Sequence, residues 1–109
     1  MITLKIITEQ NVDVKIIEVL RNQYQLTDLE IDDMLNIAPM LEVTSFTEFT
    51  DCCKLLVKYG YPKSDLDFLF LANPNIFVQS AADLEIQLKQ LAKNYDDLEI
   101  ALKEDPLLI

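Results

Sequence analysis

The stretch APMLEVTSFTEF, Ala38 to Phe49, has a near copy in NPNIFVQSAADL, Asn73 to Leu84. Each copy opens on a residue followed by proline, and the residue before a proline is biased away from the helical region, so a helix is expected to end there. An apolar bend follows, Leu41-x-Val43 in one copy and Ile76-x-Val78 in the other. Then come Ser45-x-x-Glu48 and Ser80-x-x-Asp83. These are capping boxes or near relatives of one: the serine hydroxyl accepts from the amide three residues on, and the acid reaches back to the serine amide. The stretch therefore predicts the end of one helix, a tight bend and the start of another.

Working outward, three prolines, Pro39, Pro74 and Pro106, each follow a run with helical spacing. The runs are Ile31, Met34, Leu35 and Ala38, then Leu66, Leu69 and Phe70, then Leu98, Ala101 and Leu102. Steps of three and four residues place these side chains on one face, which predicts three copies of a short helix A. The helix B that follows each serine is expected to turn inward Phe46, Phe49, Cys53 and Leu56 in one copy, and Ala81, Leu84, Leu88 and Leu91 in the next.

Pro39 and Pro74 stand 35 residues apart, and Pro74 and Pro106 stand 32 apart. That spacing lies in the range of helical arrays. The pattern extends backward: Ile7-Thr8 is similar to Val43-Thr44, while Ile17 and Leu20 lie 36 residues before Cys53 and Leu56. The expected organisation is one helical-repeat domain over residues 1–109, with a half unit 1–24, full units 25–60 and 61–95, and a half unit 96–109.

The helix ends fit this register. Gly60 is the single glycine and follows Lys58-Tyr59, as expected of a left-handed cap, and Pro62 suits the first turn of the next helix. Thr27-x-x-Glu30 is a capping box for the first A helix. Tyr24, Tyr59 and Tyr95 recur near the ends of the B helices, and their expected task is a ring laid over the core with its hydroxyl in water; a ligand contact is the alternative.

The length suits one domain, and a chain that is 50% hydrophobic with one glycine fits a packed helical protein rather than disorder. The net charge is −10, from 19 acids against 9 bases. No base stands between Arg21 and Lys54, where Asp28, Glu30, Asp32, Asp33, Glu42, Glu48 and Asp51 all fall. Because nucleic-acid affinity rests on Lys and Arg displacing counterions from phosphates, direct DNA or RNA binding is disfavoured. A partner of basic character is easier to accommodate than nucleic acid, but the first account of the acidity is that it keeps a small hydrophobic protein soluble.

The start, MITLKIITEQ, lacks a basic leader and a long apolar core, and no stretch approaches the length needed to span a bilayer, so the expectation is a cytoplasmic protein without membrane contact. Cys52 and Cys53 are adjacent and cannot staple distant segments. They are read as buried thiols acting as small apolar groups, with a dithiol switch as the alternative.

With no histidine, the commonest general base and metal ligand is missing. One glycine cannot build a phosphate-cradling loop, and no CxxC pair or EF-hand loop occurs. Asp65-x-Asp67, Asp32-Asp33 and Asp96-Asp97 are the tight carboxylate groups, and they are expected on the first turns of A helices, where negative charge complements the helix dipole. No catalytic, cofactor-binding or metal-ligating set is assigned, and the chain is read as a non-enzyme.

The order helix, proline, apolar bend, serine cap, helix, then GYPKSDLDFLF resembles the repeat of the mitochondrial transcription termination factor (mTERF) family. The similarity covers most of the chain and is most specific at Tyr59-Gly60-Tyr61-Pro62, Asp65-Leu66, Asn73-Pro74, Ile76, Ser80 to Leu84, and Leu91. It implies a curved stack of helical units holding nucleic acid in a groove lined by Lys and Arg. Here those bases are mostly missing: the second unit offers Lys63, Lys89 and Lys93 and no arginine, so no nucleic-acid-contacting residue is carried over. The family's members are also longer arrays. A short acidic version can keep the scaffold without the ligand.

The expected fold is thus all-α, a short right- or left-handed stack of helix-turn-helix repeats with about six helices. The candidate interaction surface is the acidic string Asp28, Glu30, Asp32 and Asp33 together with the apolar end Leu107, Leu108 and Ile109. Solenoids normally finish on a polar cap, so that end is expected to fold back, pair with a second copy or dock on a partner, and the Met1 to Ile7 start makes the same demand. A homodimer through a terminal unit is expected. The leading function is a regulatory protein-interaction module. The rival is a nucleic-acid-linked regulator, through weak mTERF-like binding or as an acidic mimic that inhibits a nucleic-acid-binding protein.

Overall fold

The computed structural model describes residues 11–109, and every regular element among them is helical. α1 (Val14–Glu18) runs directly into a π-helical turn (Val19–Gln23), and α2 (Asp28–Ile37) and α3 (Phe46–Lys58) follow. α4 (Leu66–Ala72), α5 (Ala81–Asn94) and α6 (Leu98–Glu104) complete the order. Short 3-10 turns stand at Pro39–Val43, Lys63–Asp65, Pro74–Phe77 and Pro106–Leu108. The fold is all-α, with six α-helices among the described residues.

The residue before each of the three prolines leaves the helical region at closely similar angles. These are φ −126°, ψ 71° at Ala38, φ −151°, ψ 72° at Asn73, and φ −143°, ψ 87° at Asp105. That is the steric effect of the proline ring on its predecessor. Each proline then starts a 3-10 turn, whose first amide is an orphan that proline does not have to supply. The bend residues Leu41 and Ile76 are fully buried, and Leu108 is half-buried against the same core.

The caps form as their side chains allow. Thr27 and Glu30, and Ser45 and Glu48, exchange both hydrogen bonds of a capping box. Ser80 Oγ accepts from the Asp83 amide at 3.1 Å, and the aspartate, one methylene shorter than glutamate, makes no return bond. At the end of α3 the Tyr61 amide donates to the Leu56 carbonyl at 2.9 Å and the Gly60 amide to the Val57 carbonyl at 3.0 Å. This is a Schellman closure, and Gly60 supplies its left-handed residue at φ 106°.

One departure from regularity explains a slip in the sequence register. Leu20 and Leu56 are 36 residues apart, whereas Tyr24 and Tyr59 are 35 apart, so the first copy carries one extra residue between these landmarks. The π-helical turn absorbs it: the Tyr24 amide reaches back five residues to the Val19 carbonyl at 3.1 Å. Gln25 then takes φ 57° where the next copy has Gly60. The helix at the B position of the first half unit is therefore half α and half π.

α1 packs on α3 and α3 on α5, forming a row of B helices. α2 packs on α4, and Lys103 of α6 reaches Asp65 before α4 at 2.8 Å. Between the rows lies an aromatic cluster. Phe70 contacts Phe49 at 5.6 Å and Phe77 at 4.7 Å between ring centroids, and Tyr24 stands edge-on to Phe70 at 5.1 Å. Such pairs add about 0.5–1.5 kcal/mol each beyond the area they bury.

Several expectations need correction. The buried stripe of α3 is Phe49, Cys52 and Leu56, while Phe46 and Cys53 are half-buried at its flank. The helix packs against α1 on one side and α5 on the other, which centres the buried stripe between them. Asp32 and Asp33 stand in the second turn of α2, beyond the first-turn positions where the dipole acts. The Tyr24 hydroxyl donates to the Lys63 carbonyl at 3.1 Å and the Tyr59 hydroxyl to Glu85 at 3.3 Å, so both are tethers rather than free ends in water. The expectations for Met1 to Ile7 and for Ile7-Thr8 lie outside the described residues.

Candidate interaction surface

The four acids of the string do not form one uniform face. Asp28 pairs with Arg21 at 2.8 Å, the two side chains being 62% and 40% exposed. Glu30 is held in the capping box of α2, its carboxylate accepting from the Thr27 amide at 2.9 Å. Asp32 is half-buried, and Asp33 is exposed.

What accompanies them is apolar. Leu29 and Ile37 lie four residues to either side of Asp33 along α2, so the three share a stripe, and both hydrophobic side chains are exposed, Leu29 at 70%. On the turn that follows, Met40 and Val43 are also exposed, at 58% and 72%. Sequence reasoning missed these four residues, although Leu29 stands out of phase with the buried Ile31, Met34, Leu35 and Ala38. Single exposed hydrophobics are ordinary; four along one helix and its turn, in a stretch without a base, are a candidate patch.

The patch is built on fixed backbone. The Asn75 side-chain amide donates to the Ile37 carbonyl at 3.4 Å, tying the end of α2 to the next proline turn. Thr44, itself buried, donates its hydroxyl to the Met40 carbonyl at 2.8 Å.

The apolar end resolves differently from the acidic string. Leu108 and Ile109 fold back and pack on the core, where the buried Asn73 side chain donates to the Pro106 carbonyl at 2.9 Å and to that of Ile109 at 3.5 Å. Leu107 is left 71% exposed. The structure does not bring the acidic string and this end into a single site: one lies on α2, the other beyond α6 against α4.

Several other titratable groups are occupied locally. Asp97 caps α6 by accepting from the Ile100 amide at 3.2 Å, and Asp65 pairs with Lys103, which Glu99 also holds at 2.8 Å. Hydrogen bonds to those two carboxylates raise the Lys103 pKa. Glu48 is held below the usual carboxylate range by the Ser45 backbone amide and hydroxyl. Among the described residues no group of three His, Cys, Asp or Glu side chains converges as a metal site.

Burial pushes the Cys52 thiol up to about 11, with Asp51 and Glu48 adding to the shift. Burial likewise takes Cys53 to about 12, against a smaller opposing pull from Lys63. Both are free thiols, and at these values neither is a ready nucleophile. Among the described residues, no helix is long and apolar enough to cross a membrane.

Comparison with known proteins finds no match to this chain in any family model, curated protein or solved structure.

Proposed function

We propose that the chain is a non-enzymatic helical-repeat module for protein contact, regulatory in role, whose docking face is the α2 stripe and the turn that follows it. The single observation carrying this reading is the exposure of Leu29, Ile37, Met40 and Val43 in a stretch of the chain with acids and no base. The partner it suits presents apolar side chains among lysines and arginines, since charge complementarity steers and registers a complex while the apolar contact supplies most of the affinity. A nucleic-acid-linked role is the rival. Mimicry of phosphates is weakened by the engagement of Asp28 with Arg21 and of Glu30 in its cap.

Affinity capture with mass spectrometry tests the reading when wild type and Asp33→Lys/Met40→Glu are run side by side. Basic proteins enriched by the wild type and lost from the variant support it; the same set on both overturns it. A gel shift at low salt tests the rival, and binding to DNA or RNA there moves the assignment to it. The exposed Leu107 supports a homodimer through the terminal unit as a second contact. A strict monomer by light scattering at high concentration removes that second contact.

A further inference from the structure

A groove of about 300 Å³ runs between the π-helical turn, α3 and the start of α4, and its lining has a charge character opposite to that of the chain. Its walls are Val19, Tyr24, Phe46, Phe49, Val57 and Leu66, and two lysines, Lys54 and Lys63, stand among the lining residues, which include no carboxylate; Lys54 stands at the rim, its other side toward Asp51 and Glu85. In a chain of 19 acids and 9 bases, a groove with two cations and no anion is a local inversion of the field. A third cation stands at the edge, Lys15 lying 5.7 Å from the centre of the Phe46 ring. None of the lining residues belongs to α2 or its turn, so the groove is separate from the proposed docking face.

We propose that this groove binds a small amphipathic carboxylate, its apolar body along Val19, Phe46 and Val57 and its carboxylate between Lys54 and Lys63. Its size is at the lower end of the range of ligand pockets, which suits a short acyl chain or a single ring rather than a large cofactor. The lysines are free to serve. Among the described residues Lys54 and Lys63 have no ion-pair partner, whereas Arg21, Lys58 and Lys103 are paired.

A further observation points the same way. The π-helical turn supplies Val19 and Gln23, with Tyr24 at its end, to the wall, and the extra residue it accommodates is absent from the equivalent place in α3. Insertions of this kind cost helical regularity and recur at functional sites. Tyr24 is moreover anchored, its hydroxyl donating to the Lys63 carbonyl and so joining the π-helical turn to the turn before α4.

The test is an amide NMR titration of the full chain with decanoate, with decanol alongside as the uncharged probe. Saturable shifts at Val19, Tyr24, Cys53 and Val57 are expected with decanoate, and about fivefold weaker binding with decanol, the worth of two partly exposed ion pairs. Lys54→Gln/Lys63→Gln, both surface changes, is expected to reduce decanoate to the decanol level, and Lys89→Gln/Lys93→Gln to leave it unchanged. Equal binding of the two probes, an unaffected double variant, or shifts centred on Ile37 or Leu107 overturns the proposal. So does the lack of saturable shifts with decanoate.

Discussion

The side-chain amide of Asn73 donates to the Pro106 carbonyl at 2.9 Å, joining the residue before one proline to the next proline 33 positions along. Asn73 is 5% exposed, so this polar contact is made inside the molecule, where an unmade bond is expensive. Together with the Asn75 bond to Ile37, it makes the Pro74 turn a link to the turns on both sides.

Asn73→Ala removes the donor to the half-buried carbonyls of Pro106 and Ile109. The expected loss is about 1–3 kcal/mol in urea unfolding. Amide exchange at Leu108, whose own donor bond to Asp105 belongs to that turn, is expected to accelerate more than exchange in α3.

Asp13 serves two helices at once. One carboxylate oxygen accepts from the Lys15 amide at 2.9 Å and caps α1, and the other accepts from the Phe46 amide at 3.1 Å, the first orphan donor of α3. Asp13→Ala is therefore expected to cost more than an ordinary cap, about 2 kcal/mol, and Asp13→Asn, which keeps one acceptor, about half of that. Equilibrium denaturation of the two variants checks the order.

Gly60 and Gln25 hold left-handed backbone at equivalent places, φ 106° and φ 57°. A Cβ at Gly60 meets nothing within 4 Å, so the cost of Gly60→Ala is the backbone alone, about 1 kcal/mol. Gln25→Gly relieves the same strain and is expected to raise stability by up to about 1 kcal/mol. Melting curves of the two variants should move in opposite directions.

These cases mark what could be read from the residues. Pro39, Pro74 and Pro106, the caps at Thr27, Ser45 and Ser80, and Gly60 act on their own neighbours, so local chemistry was enough to place the helices. Asp13, Asn73 and Asn75 act across 33 to 38 residues, and nothing in their immediate sequence marks the partner. The choice between Cys52 and Cys53 for the core depends on how α3 is rotated between its neighbours, which periodicity alone leaves uncertain by one position. Of the candidate surface, the acids were visible but their engagement was not, because Arg21 meets Asp28 only once the turn between them is formed.

The thiols predict a weakness at alkaline pH. Folding raises Cys52 from its ordinary 9.0 to about 11 and Cys53 to about 12, so above pH 9 the unfolded chain releases protons that the folded chain keeps. Stability from this source is intact below pH 9 and falls as the pH rises from 9 toward 12. Tyr61, raised by burial from 10.0 to about 12, acts in the same direction. Cys53→Ala, with the titrating thiol gone, is expected to lose less stability across that window, measured as denaturation midpoints at pH 8 and pH 10.

The docking claim for α2 is tested most directly by hydrogen-exchange mass spectrometry on the protein with and without its captured basic partner. Protection is predicted over residues 28–43, from Leu29 to Val43, and weakening with added salt. Protection confined to α3 or α5, with 28–43 exchanging as in the free protein, would contradict it.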